Sequence, residues 1–203
     1  LKPDDGGVRI QGNNIPYDDP RQLNEMRKLF GMSWQYSALF DDFTVLENVS
    51  FPLVEHTKLS KAEMKDKVSQ KLEAVGLDPA AVWDKLPNEL SGGMRKRVAL
   101  ARAIILEPTI LLFDEPTTGL DPMTRNTVDE LIRNTNDKFG LSSVVISHDM
   151  YAAVNYADHL AFLHKGEIVF YGSPTEFEKS DHPMVKGFLN AEKSHVEGVK
   201  RGS

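Results

Sequence analysis

Apolar positions repeat at helical spacing in three stretches of this 203-residue chain. The first stretch begins at Ser60 in a capping-box pattern and continues to Gly76, a residue type that often ends helices. The second begins at Ser91, and the third follows Pro122 and ends near Gly140. Residues 20–28 are also expected to be helical. The apolar faces predicted for the three helices comprise Met64, Val68, Leu72 and Val75; Val98, Ala101 and Ile105; and Val128, Leu131, Ile132 and Phe139.

Short apolar runs between these helices predict strands. Residues 110–113 lie between two prolines and are too few for a helix, and residues 143–147 form a second run that predicts a buried strand. Residues 160–170 surround a Lys-Gly turn and predict a hairpin, whereas residues 8–12 predict a strand that ends in a Gly-Asn-Asn turn. Because buried strands alternate with helices, the chain is expected to be an α/β domain with a parallel sheet.

Composition narrows the classes of function. A hydrophobic content of 40% and a charged content of 27% are typical of globular proteins. The formal net charge of −6 argues against nucleic acid as the main partner, because binding to a phosphate backbone needs a basic surface. The chain has no cysteine, which excludes disulfides and thiolate chemistry. Its apolar runs are far shorter than the roughly 20 residues of a membrane span, so any membrane role is expected to come through a partner.

Two motifs have the residue types of a nucleotide site. Residues 90–94 read Leu-Ser-Gly-Gly-Met and open a helix, where free backbone N–H groups and the positive helix end attract phosphate. Residues 110–115 form an apolar strand that ends in two carboxylates, Asp114 and Glu115. His148 follows the next predicted strand. In parallel sheets ligands bind outside the carboxyl ends of the strands, which is where these three side chains fall.

In order and spacing these motifs resemble those of the ATP-binding-cassette (ABC) ATPases, over nearly the whole chain from residue 1 to about 189. The resemblance implies an α/β fold, the P-loop NTPase ABC-type nucleotide-binding domain with an inserted helical subdomain. It also implies ATP and Mg²⁺ as bound groups. The motifs occur in family order, as Gln35, the signature loop 90–94, the Walker B strand 110–115, Gly119-Leu120-Asp121-Pro122 and His148.

The domain organisation is expected to be a single ABC ATPase domain over residues 1–203. Its helical subdomain would cover about 37–104, its core 1–36 and 105–173, and a C-terminal helical segment and tail 174–203. No G-x-x-x-x-G-K-[ST] sequence occurs in the chain, and residues 1–10 resemble the stretch after the P-loop helix of the family. We therefore expect an N-terminally truncated domain, with the P-loop upstream, that is inactive alone.

The resemblance implies catalytic roles for the residues at the strand ends. Asp114 would hold Mg²⁺ through water, since this ion dehydrates reluctantly, and Glu115 would polarise the water that attacks the γ-phosphate. His148 would hydrogen-bond the γ-phosphate, and Gln35 would contact the Mg²⁺ shell and report nucleotide state to a partner. The ordinary alternatives are a polar turn after a buried strand for the two carboxylates and surface positions for Gln35 and His148.

Further residues are implied to act across a dimer. Ser91, Gly92 and Gly93 would bind the γ-phosphate held by the opposite subunit, because glycines permit close backbone approach and the serine hydroxyl can donate. Asp121 would bridge the two halves of the dimer. Ser91 and Asp121 are also suitable helix N-caps. The basic run 95–97 is interpreted as a solvated helix face rather than a nucleic-acid patch, given the acidic total charge.

Within the family, residues 35–40, residues 52–57 and the Leu-Ser-Gly-Gly-Met loop resemble the ATPase subunit of Mla-type (Mce-associated) phospholipid transporters. The resemblance implies a homodimer at the cytoplasmic face of the bacterial inner membrane. The dimer would bind a transmembrane permease through residues 35–51, for which a plain core role is the alternative. A STAS-domain subunit and a periplasmic lipid-binding subunit are further implied partners, and nucleic acid is not.

Three other functions remain open from the sequence. The chain could belong to the ATPase of a solute importer, which would differ only in cargo. A soluble ABC protein acting on ribosomes or DNA would need a second cassette or a coiled-coil insertion, and this chain has neither. A non-catalytic half-site module would lend its Ser91 loop to a competent partner.

Overall fold

The computed structural model describes residues 2–190, which form two compact units, one up to Ile146 and one from Ser147 onward. The first unit contains β1 (Arg9–Ile10), β2 (Asn13–Asn14), α1 (Pro20–Arg27), β3 (Phe30–Ser33), α2 (Val45–His56), α3 (Lys61–Ala74), α4 (Pro79–Val82), a 3₁₀ turn (Pro87–Glu89), α5 (Gly92–Ala103), β4 (Ile110–Asp114), α6 (Pro122–Phe139) and β5 (Ser142–Ile146). The second contains α7 (Met150–Tyr156), β6 (Leu160–His164), β7 (Glu167–Gly172), α8 (Pro174–Glu178) and a helical stretch over 183–190.

A three-stranded parallel sheet in the order β3-β4-β5 organises the first unit. Phe30 pairs with Ile110, Ile110 pairs with Ser142, and the register continues until Asp114 lies opposite Ile146. Because the three strands run in the same direction, their carboxyl ends meet at one edge of the sheet. The parallel α/β arrangement predicted from the sequence is confirmed.

The sheet buries one face more completely than the other. Leu111 and Phe113 of β4 belong to a core that also includes apolar residues of α2, α3, α5 and α6. The strand predicted at 143–147 is present as β5, but the prediction that it is buried is wrong. Val144, Val145 and Ile146 are 57%, 45% and 63% exposed, because within the described residues β5 makes extensive contact with no element other than β4, and its faces are left uncovered.

Helix termini follow the capping signals where the sequence is clear. The Ser60 hydroxyl accepts from the backbone N–H of Glu63, whose carboxylate accepts in return from the backbone N–H of Ser60 at 2.8 Å. Gly140 ends α6 in the left-handed conformation with φ +63°. The helices predicted over 20–28, from Ser60, from Ser91 and from Pro122 are all confirmed, with small shifts at their ends.

Two local predictions need correction. Of the predicted Gly-Asn-Asn turn, Gly12 does lie in the turn, together with Gln11, and their φ values are +81° and +49°; Asn13 and Asn14 form β2 instead. Residues 45–56 form α2, which the sequence did not indicate, because apolar residues surround this helix and Pro52 lies inside it. A capping box between Thr44 and Glu47 begins α2 and was the available signal.

The basic run of α5 is not a solvated face. The Arg95 guanidinium donates to the carbonyl of Leu90 at 2.8 Å, and that of Arg97 donates to the carbonyl of Val75 at 2.6 Å. Lys96 is only 8% exposed, and its amino group donates to the carbonyl of Gln35. These cations bind backbone carbonyls inside the first unit because their long side chains reach across to neighbouring loops.

The second unit contains the predicted hairpin. β6 and β7 pair antiparallel, and the turn residues Lys165 and Gly166 have φ values of +48° and +86°, as a two-residue hairpin turn requires. Aromatic rings pack on this hairpin, where Phe162 lies 5.9 Å from Phe177 and 5.2 Å from Phe188 between ring centroids.

The predicted division into subdomains stays a prediction. The helices α2 to α5 lie between β3 and β4, inside the range 37–104 expected for the helical subdomain. The predicted tail after Asn190 lies outside the described residues. In the described part of the chain, no helix has the length and apolar character needed to cross a membrane.

Candidate functional site

Two adjacent carboxylates lie where β4 leaves the sheet. Asp114 is the last residue of the strand and is half-buried. Glu115 follows with φ +47°, and its backbone N–H donates to the carbonyl of Ile146 at 2.9 Å. Non-glycine residues rarely adopt this left-handed conformation, and such local strain concentrates at functional sites. The Glu115 carboxylate accepts from the Thr118 hydroxyl at 2.9 Å, which restrains its position.

The loop that contains Gln35 leaves the same edge of the sheet. Ser33, the last residue of β3, pairs with Phe113, so the residues that follow both strands start from neighbouring positions. Ser37 and Ala38 have φ values of +67° and +44°, and the Ser37 N–H donates to the carbonyl of Trp34 at 2.9 Å. The structure thereby brings the Gln35 loop, Asp114 and Glu115 to one sheet edge.

His148 lies in the second unit. It comes two residues after the end of β5 and is exposed. Next to it, the backbone N–H of Asp149 donates to the Ser147 hydroxyl at 3.0 Å, just before α7 begins. The sequence position after a strand is therefore as expected, and the role of His148 stays a prediction.

The signature loop caps α5 and packs against the start of α6. The Ser91 hydroxyl accepts from the backbone N–H of Met94 at 3.2 Å. A Cβ atom on Gly92 would lie 3.6 Å from Leu120 Cδ2, and one on Gly93 would lie 3.3 Å from Thr124 Cγ2. The two glycines therefore permit close packing within the subunit, in addition to any contact with phosphate.

Asp121 is the N-cap of α6. Its carboxylate accepts from the backbone N–H groups of Met123 and Thr124, each at 3.1 Å. Hydrogen bonds from the Thr124 side chain and backbone, followed by that from Met123, hold the pKa of Asp121 below its usual range. The N-cap alternative considered for Asp121 and Ser91 is thus realised, and it is compatible with a further role across a dimer.

The residues present fit Mg²⁺ bound together with a nucleotide. Asp114 and Gln35 carry oxygen donors, which this hard cation prefers. Over residues 2–190 no group of three or more histidine or acidic side chains could hold a metal on its own. Mg²⁺ typically uses one or two carboxylates and completes its shell with water and phosphate oxygens, so a single carboxylate at the strand end suffices.

Sequence reasoning missed two residues of this region. Lys96 donates to the carbonyl of Gln35, and Arg102 donates from Nη2 to the carbonyl of Ser37 at 2.9 Å. Their partners are more than sixty positions away along the chain, and a backbone carbonyl leaves no signal in the sequence. The one feature that sets Lys96 apart is its burial, and burial is visible only in the structure.

Comparisons with known proteins decide the family. The profile of the family described as "ABC transporter" matches residues 1–118, more than half of the chain. The chain is also 43% identical over 190 residues to the intermembrane phospholipid transport system ATP-binding protein MlaF of Escherichia coli K12, covering 94% of the chain and 70% of that protein. The chain belongs to the ABC transporter family.

Other relatives of this ABC protein have two different names. MlaF of Haemophilus influenzae is 40% identical over 192 residues, covering 95% of this chain and 72% of that protein. The probable ribonucleotide transport ATP-binding protein mkl of Mycobacterium leprae is 38% identical over 190 residues, covering 94% and 54%. Each of them is described as the ATP-binding protein of a transport system, and the named cargo differs.

Solved structures agree with the family. cbiO1 of Clostridium perfringens, part of the ABC transporter complex cbiONQ, superposes with a TM-score of 0.81 at 28% identity, covering 98% of this chain and 78% of that one. The ATP-binding cassette MJ0796, in a dimeric post-hydrolysis state bound to ADP and Pi, gives 0.74 at 30% identity, covering 86% and 75%. The predicted P-loop NTPase fold of an ABC nucleotide-binding domain is confirmed.

The cap at Asp121 predicts a pH-dependent stability. Because its folded-state pKa is lowered, the carboxylate contributes stability above its unfolded-state pKa of about 3.9, and this contribution disappears as pH falls through the folded-state pKa. Asn caps helices without titrating in this range. We expect Asp121→Asn to lose less stability than the parent chain on acidification, as measured by urea unfolding near neutral pH and near pH 3.

Asp121→Ala is the control for the cap itself and should be destabilised at neutral pH. Equal acid sensitivity of the parent chain and the Asn variant would contradict this account of the Asp121 carboxylate.

Proposed function

We propose that this ABC protein is the ATP-hydrolysing subunit of a membrane transporter that moves phospholipid between the inner and outer membranes of a bacterium. The family assignment supports an ATPase subunit of a transporter. The observation that carries the hydrolytic step is the pair Asp114 and Glu115 at the carboxyl end of β4, with Glu115 held in a left-handed conformation. The cargo follows from the relatives named MlaF.

In the proposed reaction, Glu115 accepts a proton from the water whose oxygen attacks the γ-phosphorus, and the bond from that phosphorus to the oxygen bridging to the β-phosphate breaks, so that ADP and phosphate are released. The hydrogen bond from Thr118 keeps the carboxylate oriented before the water arrives. Asp114 and Gln35 would hold Mg²⁺, which would neutralise charge on the phosphate oxygens when bound. From its sequence position after β5, His148 of the second unit is proposed to donate a hydrogen bond to the γ-phosphate.

The proposed active unit is a homodimer. Ser91, Gly92 and Gly93 of one copy bind the γ-phosphate held by the other copy, at the N-terminus of α5 where the helix dipole favours an anion. Asp121 contacts the opposite copy while it caps α6. The dimeric state in the description of the MJ0796 structure supports this arrangement. The 203 residues contain no P-loop sequence, so we further propose that they do not hydrolyse ATP alone.

The catalytic proposal is tested in the assembled transporter. Glu115→Gln keeps the size and shape of the side chain but replaces the carboxylate, the proposed base, with an amide. We expect the rate of ATP hydrolysis to fall at least about 100-fold, the usual loss for one transition-state group. Glu130→Gln, at an exposed carboxylate of α6, is the matched control and should keep the full rate. Full activity of Glu115→Gln would refute the assignment of the base.

A half-exposed group of aromatic rings is the proposed permease-binding surface. The rings of Phe40, Phe43 and Phe51, here called the aromatic cluster, lie with centroids 5.0 to 6.4 Å apart. Phe40 and Phe43 are 42% and 37% exposed, which is unusual for large apolar rings that pack together. This surface would bind an apolar segment of a permease at the cytoplasmic face of the inner membrane.

The side chain of Asn48 is hydrogen-bonded to the backbone of the loop that contains Phe40 and Phe43. Asn48 is fully buried; its Oδ1 accepts from the N–H of Phe40 at 2.9 Å, and its Nδ2 donates to the carbonyls of Phe40, Phe43 and Thr44. The rings are therefore presented by a fixed backbone, as a docking surface requires. A STAS-domain subunit and a periplasmic lipid-binding subunit complete the proposed assembly.

Loss of an exposed ring should weaken docking without unfolding the subunit. We expect Phe43→Ser to raise the Kd of the ATPase subunit for the permease about tenfold, which corresponds to about 1.4 kcal/mol of binding free energy, and less permease to copurify with it. Leu163→Ser changes an exposed apolar residue of the second unit and is the control. If both variants retain the permease equally, the aromatic cluster is not the docking surface.

The cargo is tested in cells that lack the gene. Phospholipid transport predicts an altered phospholipid content of the outer membrane, restored by the gene and not by its Glu115→Gln variant. The second candidate cargo is a ribonucleotide, favoured by the relative mkl, and it predicts a defect in ribonucleotide uptake instead. Normal phospholipid distribution together with impaired ribonucleotide uptake would refute the lipid proposal.

A further inference from the structure

Two cations of the signature helix bind the backbone of the Gln35 loop. Lys96 donates to the carbonyl of Gln35, and Arg102 donates to the carbonyl of Ser37 at 2.9 Å. The Arg102 guanidinium carbon also lies 5.8 Å from the centroid of the Phe40 ring. One helix therefore contacts the residue proposed for catalysis and a ring of the aromatic cluster.

Helix α5 is itself fixed against the sheet. A Cβ atom on Gly31 of β3 would overlap the carbonyl of Ala103 and would lie 2.7 Å from Leu111 Cδ2. The absence of a side chain at Gly31 thus lets the end of α5 sit directly on β3. From this position on β3, the cations of α5 reach the Gln35 loop, which begins where β3 ends.

The loop needs such support. Ser37 and Ala38 are non-glycine residues with positive φ, a conformation that persists only where the surroundings enforce it. Lys96 is buried and Arg102 is half-buried, and this burial lowers the pKa of the Lys96 amino group and of the Arg102 guanidinium. Hydrogen bonds from partly desolvated cations to carbonyls are stronger than neutral ones, so these two contacts are suited to holding a strained backbone.

We propose that Lys96 and Arg102 are positioning residues that fix the Gln35 loop to the signature helix α5. Ser91, Gln35 and the aromatic cluster would then move together. This inference rests on the proposed function for its effect on hydrolysis. The fixed loop would pass a displacement of the aromatic cluster to Gln35 through Arg102, and to Ser91 through the helix. Neither cation touches nucleotide in this account.

Trp34 provides a direct readout on the 203-residue chain. It precedes Gln35, is 47% exposed, and shares the chain with one other tryptophan, Trp83. In a Trp83→Phe background, acrylamide quenching of fluorescence therefore reports the Gln35 loop alone. We expect Lys96→Met and Arg102→Met each to raise the quenching constant of Trp34 about twofold, because the loop opens locally.

The matched control is Arg97→Met. Arg97 lies on the same helix and donates to a backbone carbonyl at 2.6 Å, but that carbonyl belongs to Val75, outside the Gln35 loop. Arg97→Met should leave the Trp34 signal unchanged even if it lowers thermal stability. Lys96→Arg and Arg102→Lys keep a cationic donor and should restore the parent signal, which separates anchoring from general misfolding.

Turnover in the assembled transporter gives the second readout. Lys96→Met and Arg102→Met should lower kcat for ATP by about 10- to 100-fold, the scale of a small misplacement of a catalytic group, while KM for ATP stays unchanged. The Arg97→Met subunit should keep its kcat. If Lys96→Met and Arg102→Met match Arg97→Met in both readouts, the inference is overturned. If Trp34 responds as expected but Gln35→Ala leaves kcat unchanged, the anchoring is supported and the proposed catalytic role of Gln35 fails instead.

Discussion

The parallel hydrogen-bonded ladder of β3, β4 and β5 is the constraint on which the candidate site depends. Its register places Ser33 beside Phe113 and Asp114 beside Ile146, so the residues that follow β3 and β4 begin at one sheet edge. A shift of one residue in this pairing would turn Leu111 and Phe113 out of the core. The burial of these two side chains therefore helps to fix the register, and with it the position of Asp114.

Strong local signals allowed much of the fold to be predicted. The capping box at Ser60, the prolines around β4 and the two-residue turn after β6 each specify a backbone conformation within a few residues. The carboxylates after β4 could be found for the same reason, because an apolar run that ends in Asp114 and Glu115 is a local pattern. The order of the motifs then indicated a resemblance to a family, and the comparisons confirm the family and the fold.

The features that sequence could not supply depend on distant contacts. The apolar residues within 45–56 gave no clean helical period, because the buried face of α2 includes the polar Asn48, which binds the preceding loop, whereas the apolar Val54 is 58% exposed. The exposure of the β5 side chains follows from the lack of extensive packing on the faces of this strand within the described residues. Lys96 illustrates the limit for charge: a net charge of −6 describes the whole surface and says nothing about a cation buried beside one carbonyl.

The exposed strand β5 has a consequence for handling the protein. Val144, Val145 and Ile146 are β-branched, apolar and more than two-fifths exposed, and β5 has one strand neighbour within the described residues. A free strand edge of this composition is a template on which another extended chain can add by backbone hydrogen bonding. Without a covering segment, the 203-residue polypeptide is thus a candidate for self-association through β5. Its tendency to aggregate in solution would then depend on three residues that have no proposed role in catalysis.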